Sequence, residues 1–214
     1  MAEPGEFSDF AESALSTRWG RFHAIAFRDR PDGSEHLALV LGRPQDGSLV
    51  RVHSECLTGD IFGALRCECG EQLRSALDSI AAEGRGVLVY LRGQEGRGIG
   101  LIAKVRTHVL QDEDGLDTVD SAKALGLPVD VRDYAPAVQV LRHLGLRSVR
   151  LMSNNPDKVA ALESGGIEVA DRVPLLMPAS DDNLGYLIAK RDRLGHHLPH
   201  LDPAMPVRNG QTRH

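Results

Sequence analysis

The sequence predicts a mixed α+β domain: a β-rich N-terminal part, then alternating strands and helices. Three observations carry that prediction. Short apolar runs separated by PDGS and RPQDGS turn signals fill the first 54 residues. Helical apolar spacing first appears at Leu73, Ala76, Leu77 and Ile80. After that point, apolar strand runs and glycine-ended helical runs take turns along the chain.

Taken in order, residues 1–17 have weak patterning and read as a flexible lead-in to a catalytic domain over 18–198. RFHAIAFRD, HLALVLG and SLVRVHS read as three strands, expected antiparallel. GEQLRSALDSIAAE, residues 70–83, reads as a helix stopped by Gly84-Arg85-Gly86, and VLVYL at 87–91 as a buried strand. A helix is expected from Ile99 to Leu110, then a polar turn at QDEDG. APAVQVLRHLG is a helix and SVRLMS a strand. NNPDKVAALESGG is a helix with Asn155 as its N-cap and Pro156 in its first turn. IEVADRVPL is a strand, NLGYLIAKRDRLG a last helix, and residues 199–214 a proline-punctuated tail expected to be disordered.

The bulk numbers narrow the function. A length of 214 residues suits one domain, and 42% hydrophobic with 26% charged residues is ordinary globular composition. The net charge of −5 argues against nucleic acid or a membrane surface as partner. The N-terminus lacks the apolar run of a signal peptide. No stretch approaches the roughly 20 apolar residues that span a bilayer. A cytoplasmic protein is expected, in which three clustered cysteines are no disulfide framework.

Those three, Cys56, Cys67 and Cys69, follow a Cys-x10-Cys-x-Cys spacing. Thiolates suit Zn2+, and three ligands with an open fourth position is the pattern of a catalytic zinc. The spacing fits equally well with buried free thiols or a structural site closed by His53.

GQEGRGIGL follows a strand and precedes a helix. Its glycines can bring backbone N–H groups to a phosphate, and Arg97 can pair with phosphate oxygens. A glycine-rich turn with a solvated arginine reads the same way. No Walker A Gly-Lys-Ser/Thr follows. In SNNPDK, Lys158 sits in the first turn of a helix, where the dipole disfavours a cation unless an anion binds nearby. Asp130 and Arg132 share one side of an extended DVRDY and alone read as a salt bridge. His196, His197 and His200 read as surface composition, and Trp19 as a packing residue.

RVHSECLTGD, RCECGEQL, GQEGRGIGL, LQD…DT and SNNPDKV, in this order, resemble the GTP cyclohydrolase II family over residues 19–197. The resemblance implies a homodimeric α/β enzyme using Zn2+ and Mg2+. It would hydrolyse the GTP imidazole ring at C8, releasing pyrophosphate and formate and leaving 2,5-diamino-6-ribosylamino-4(3H)-pyrimidinone 5′-phosphate, the first step of riboflavin biosynthesis. A stand-alone form is expected, without the synthase often fused to this family.

By the same resemblance, Cys56, Cys67 and Cys69 are zinc ligands. Arg51, Val52, His53, Ser54, Glu55, Gln72, Glu95, Gly96, Arg97, Thr118, Ser153 and Lys158 contact GTP. Asp130 and Arg132 match the proton acceptor and the nucleophile. A neutral guanidine is a costly nucleophile, so electrostatic stabilisation of the phosphates by Arg132 is the firmer expectation.

The chain departs from the family pattern at three places. Gly93 is added before QEGR, and one residue is added in QDEDGLDT. His108 stands where a tyrosine is usual, and is read as catalytic in its place. Histidine brings a pKa near 6.5 rather than near 10. An alternative output is therefore a formylamino-pyrimidine with formate retained, or action on a modified guanine nucleotide. A nucleotide-binding module keeping zinc for stability is a second alternative. A base deaminase would need an H-x-E…P-C-x-x-C arrangement that is missing here.

Overall fold

The computed structural model describes residue 7, residues 9–29 and residues 33–202. Seven strands form one mixed sheet: β1 (Asp9–Thr17), β2 (Gly20–Arg28), β3 (Glu35–Leu41), β4 (Ser48–Ser54), β5 (Gly86–Leu91), β6 (Ser148–Met152) and β7 (Glu168–Val173). Their spatial order is β1-β2-β3-β5-β4-β6-β7. The first four in that order pair antiparallel, and β5-β4-β6-β7 pair parallel.

Two expectations change here. The lead-in over 1–17 contains an ordered strand: Asp9–Thr17 pairs with β2 along its whole length. Its residues alternate no clean apolar face and are largely exposed, so its order comes from ladder hydrogen bonds that the sequence pattern does not display. The third strand, β4, does not continue the antiparallel meander. β5 inserts between β3 and β4, and β4 runs parallel to β5 and β6. Six of its seven residues are buried, as a central strand covered on both faces requires.

Helices cover both faces. On one, α5 (Ala135–His143) and α6 (Pro156–Ser164) pack Val140, Leu141 and Leu162 against Ile25, Val50, Val52, Val89 and Leu151. On the other, α2 (Cys69–Glu83) packs Ala76, Leu77 and Ile80 against Phe22, Leu49 and Leu88. Trp19 packs at the edge of that second cluster and donates its indole N–H to Asp78 of α2 at 2.7 Å. Asn155 caps α6 by accepting from the Asp157 amide at 2.9 Å, with Pro156 at its start, as expected.

The remaining helices are α1 (Leu57–Asp60), α3 (Leu101–Glu113), α4 (Thr118–Ala124) and α7 (Leu184–Leu194). Helix α3 starts later and ends later than Ile99–Leu110, because Gly100 holds a left-handed backbone and the QDE segment stays helical. Pro199–Leu201 forms one 3-10 turn, held by Arg191 donating to the Leu201 carbonyl and to Asp202. The tail beyond residue 202 lies outside the described residues, as do residues 1–6 and 8.

The chain leaves β4 for β5 on one side and reaches β6 on the other, with α2 and α5 on opposite faces. Such a switch opens a crevice at the carboxyl ends of the parallel strands, where α/β sheets bind ligands. Every motif singled out in the sequence lies at or beyond one of those ends.

Candidate active site

The loop after β4 carries Cys56 at the start of α1, and Cys69 opens α2. The ligand atoms of Cys56, Cys67 and Cys69 all lie within 4.8 Å of one another, and the Cys56 and Cys67 sulfurs are 3.8 Å apart. A tetrahedral zinc with bonds of about 2.3 Å would place its sulfurs about 3.8 Å apart, so the cradle fits that metal. Gly59 makes room for it: a Cβ there would lie 2.9 Å from the Cys67 sulfur and 3.2 Å from the Cys56 sulfur. His53 is not a fourth ligand. Its Nε2 is turned to Asp60 at 3.0 Å. Three thiols therefore form the donor set, and the sulfurs line a cavity of about 100 Å³ open to solvent.

Among the thiols themselves, Cys56 ionises first. Hydrogen bonds from Cys67 and Cys69 hold it far below the usual thiol range, with the Lys104 charge adding, while Cys67 and Cys69 are pushed up. Lys104, on α3, reaches Cys56 Sγ at 3.2 Å, Thr58 Oγ1 at 2.7 Å and Glu95 Oε1 at 2.5 Å. The other oxygen of Glu95 accepts from the Leu57 amide at 2.6 Å.

Behind the cysteines lies a buried polar network. Asp60 accepts from His53, from the Cys56 amide at 3.0 Å and from the Tyr90 hydroxyl at 2.8 Å. Burial pushes His53 down to about 4, with Arg51 and Lys158 adding against the opposing Asp60 contact. Arg51 donates to the Met152 carbonyl at 3.0 Å and to Gln72 at 2.9 Å, and burial lowers it to about 10. Arg51 and Gln72, both expected to touch substrate, thus bind each other, though both line the second chamber described below. The Val52 side chain lies in the core, and only its carbonyl faces the site, accepting from Lys158 at 2.9 Å.

After β5, Gly93 turns the chain with φ 76° and donates its amide to Glu55 at 2.7 Å, so the added glycine is absorbed in a turn. Gly96 and Arg97 follow with φ 59° and 62°. Arg97 is the one non-glycine residue with positive φ among the described residues. Such strain costs on the order of 1 kcal/mol or more and clusters at functional sites. Its guanidinium donates to Thr118 Oγ1 at 2.5 Å and to the Val129 carbonyl. Gly98 lets that turn press on Val131, which a Cβ would meet at 2.8 Å.

A second, smaller chamber adjoins the first through Ser54, Cys69, Arg97, Arg132 and Tyr186. Arg51, Arg97, Arg132, Lys158 and Lys190 line it, with no carboxylate among its lining residues. Burial drives Lys158 far below the usual lysine range, helped by Arg51, Arg132 and Lys190. A polyanion is what such a chamber would accept. Ser153 and Asn154 also line it, at the end of β6, where the Ser153 hydroxyl closes a turn with the Asn155 backbone. Asp130 grips Arg132 through three side-chain bonds, at 2.9, 3.2 and 2.5 Å. Burial opposes the charge on Arg132, but Asp130 more than offsets it, so the guanidinium stays charged.

His108 lines the metal chamber with Arg66 and Gln111. Burial, then Lys104 and Arg66, lower its pKa, so the imidazole is neutral near neutral pH.

Sequence reasoning overlooked Lys104, Thr58, Asp60, Tyr186 and the buried Lys190–Glu68 pair at 2.8 Å. A signal existed for the first. Lys104, His108 and Gln111 form an i, i+4, i+7 polar stripe on α3, and all three face the cleft. His196, read as surface composition, lines the anion chamber instead and is driven to about 2 by burial and the nearby cations.

Residues 8–174 match the family described as GTP cyclohydrolase II. GTP cyclohydrolase-2 of Streptomyces coelicolor is 58% identical over 192 residues, which cover 89% of this chain and 86% of that protein. Riboflavin biosynthesis protein RibBA of Salinispora arenicola is 55% identical over 88% of this chain, which spans only 45% of that longer protein. A probable bifunctional riboflavin biosynthesis protein, chloroplastic RIBA 2 of Oryza sativa, is 52% identical over 94% of this chain and 35% of its own length. Among solved structures, RibBX, a two-domain 3,4-dihydroxy-2-butanone 4-phosphate synthase from A. baumannii, covers 83% of this chain and 42% of its own at 19% identity and a TM-score of 0.47. With a metal-sized tricysteine cradle beside a carboxylate-free basic chamber, and the family match running through both, this chain belongs to the GTP cyclohydrolase II family.

Proposed function

We propose that this hydrolase opens the imidazole ring of GTP at C8, releasing formate and pyrophosphate, as the first step of riboflavin biosynthesis. The single observation that carries the reading is the junction of the two chambers. A donor set for one soft metal lies within one cleft of four cationic side chains, Arg51, Arg97, Arg132 and Lys190, and of Lys158, which a bound phosphate would charge. A nucleoside triphosphate presents a ring to the first and phosphates to the second. The formate-retaining alternative is not favoured, since the relatives over this span carry GTP cyclohydrolase and riboflavin biosynthesis names.

Cys56, Cys67 and Cys69 would hold Zn2+, and bound there it supplies the Lewis acidity that activates water for attack on carbon. His108, neutral and half-buried at the cavity wall, accepts or donates the protons that ring opening and formate loss require. Arg132, held charged by Asp130, stabilises the phosphates as pyrophosphate departs. That assignment replaces a covalent role for Arg132, because a guanidinium kept protonated is no nucleophile. Arg97 and Lys190 add to the same field, Lys158 would join it once a phosphate binds, and Mg2+ would accompany the phosphates. Ser54 lines both chambers, Glu55 and Thr118 the first and Ser153 the second. We further propose a homodimer acting in the cytoplasm, with neither nucleic acid nor membrane as partner. Among the described residues no helix is long and apolar enough to cross a membrane.

The test is a mass balance on the purified chain with GTP, Zn2+ and Mg2+. One formate and one pyrophosphate per GTP, with the diaminopyrimidine mass, support the reading. GTP left intact would overturn it, and ring opening with the formyl group retained would restore the set-aside alternative.

A further inference from the structure

We infer that Lys104 is a positioning residue that donates a charged hydrogen bond to one sulfur of the tricysteine centre and fixes Cys56 as its ligand. This rests on the reading that the three cysteines hold the metal.

The geometry leaves Lys104 no other task. An ammonium has three protons, and its three partners are Cys56 Sγ, Thr58 Oγ1 and Glu95 Oε1. Its side chain is only 12% exposed, so nothing remains to offer a substrate. The remaining oxygen of its ion-pair partner Glu95 holds the amide of Leu57, directly after Cys56. Lysine and glutamate therefore grip Cys56 from two sides, one by its sulfur and one by the backbone that follows. With both oxygens committed, Glu95 belongs to the support of the cysteine and not to substrate recognition.

Charge explains why a cation stands there. Three thiolates around a dication sum to one net negative charge, and soft sulfur donors weaken a metal's Lewis acidity. A cationic N–H···S bond withdraws density from one of those sulfurs, while the Glu95 carboxylate holds the ammonium in place. Hydrogen bonds to ligand atoms of this kind typically tune affinity or activity about 10–100-fold.

The test titrates Co2+ into the full chain and into K104M, K104R and K104Q, recording the sulfur-to-cobalt charge-transfer band and the affinity by chelator competition. Methionine should move the band to lower energy and lower kcat about 100-fold, with KM for GTP changed less than about threefold. Arginine, which keeps donor and charge, should restore most of both, and glutamine should lie between. Should K104M fail to fold, K104Q against the parent gives the same comparison. A band and kcat in K104M or K104Q equal to the parent's would overturn the inference. No charge-transfer band in the parent itself would overturn the metal reading beneath it.

Discussion

Lys190→Met should destabilise the protein out of proportion to the one contact it removes. Lys190 of α7 meets Glu68 at 2.8 Å, and the glutamate side chain is 0% exposed. At an effective dielectric of about 20 the direct attraction is about 6 kcal/mol, most of it offset by the cost of taking both charges out of water. Removing the lysine forfeits the attraction while the carboxylate stays buried, and the second Glu68 oxygen already lacks a partner. Breaking such a pair from one side costs about 3–5 kcal/mol. At about 2–4 °C per kcal/mol for a chain of this size, Tm should fall by about 10 °C. Thermal unfolding followed by circular dichroism measures it, with Glu68→Gln and the double variant completing a cycle. The double variant should recover much of the loss, because the charge itself is gone. As a control, Arg147→Met removes an ion-pairing side chain that is 86% exposed and should stay within about 1 kcal/mol of the parent. A Lys190→Met loss no larger than the control's would refute the reasoning.

Gly59→Ala pushes a methyl into the cradle, 2.9 Å from the Cys67 sulfur, and should weaken zinc binding at least about 10-fold with the fold intact. Chelator competition reads the affinity, and an unchanged value would mean the metal sits elsewhere. His53, held near 4 in the fold against an ordinary 6.5, binds a proton in the unfolded chain first. Its contribution is complete above about 6.5 and is lost as pH falls toward 4, about 3 kcal/mol in all. Urea unfolding across that window should show the slope, and His53→Gln should flatten it. Arg132→Lys keeps the charge and should cost kcat/KM about 10-fold, whereas Arg132→Gln should cost about 100-fold or more. Equal losses in the two variants would point to chemistry that only a guanidinium performs.

Much of this was legible in the chain and some was not, for identifiable reasons. The α6 boundary could be read because Asn155, Pro156 and the following glycines are local signals with local partners. The cysteine cradle could be read because Cys67 and Cys69 are separated by one residue and Cys56 lies one short loop away. β1 escaped because its stability resides in pairing with β2 rather than in an apolar face. The direction of β4 escaped because a run buried on both sides looks alike in either orientation. Lys104 escaped as a participant because its partners Cys56 and Thr58 lie 48 and 46 residues away, and only the folded crevice brings them together. Arg51 and Gln72 were expected to contact substrate, and nothing in the chain marked them as each other's partners.

β4 interleaves two vocabularies in seven letters. Val50 and Val52 face the α5 and α6 side, while Arg51 and His53 face the side where Asp60, Gln72 and Tyr90 complete the polar network. Stability and chemistry are thus spelled in alternate positions of one strand, and a single inserted residue would exchange them, turning valines to the site and Arg51 and His53 to the core. The strand can vary within each alternate set, but its length is fixed by both at once.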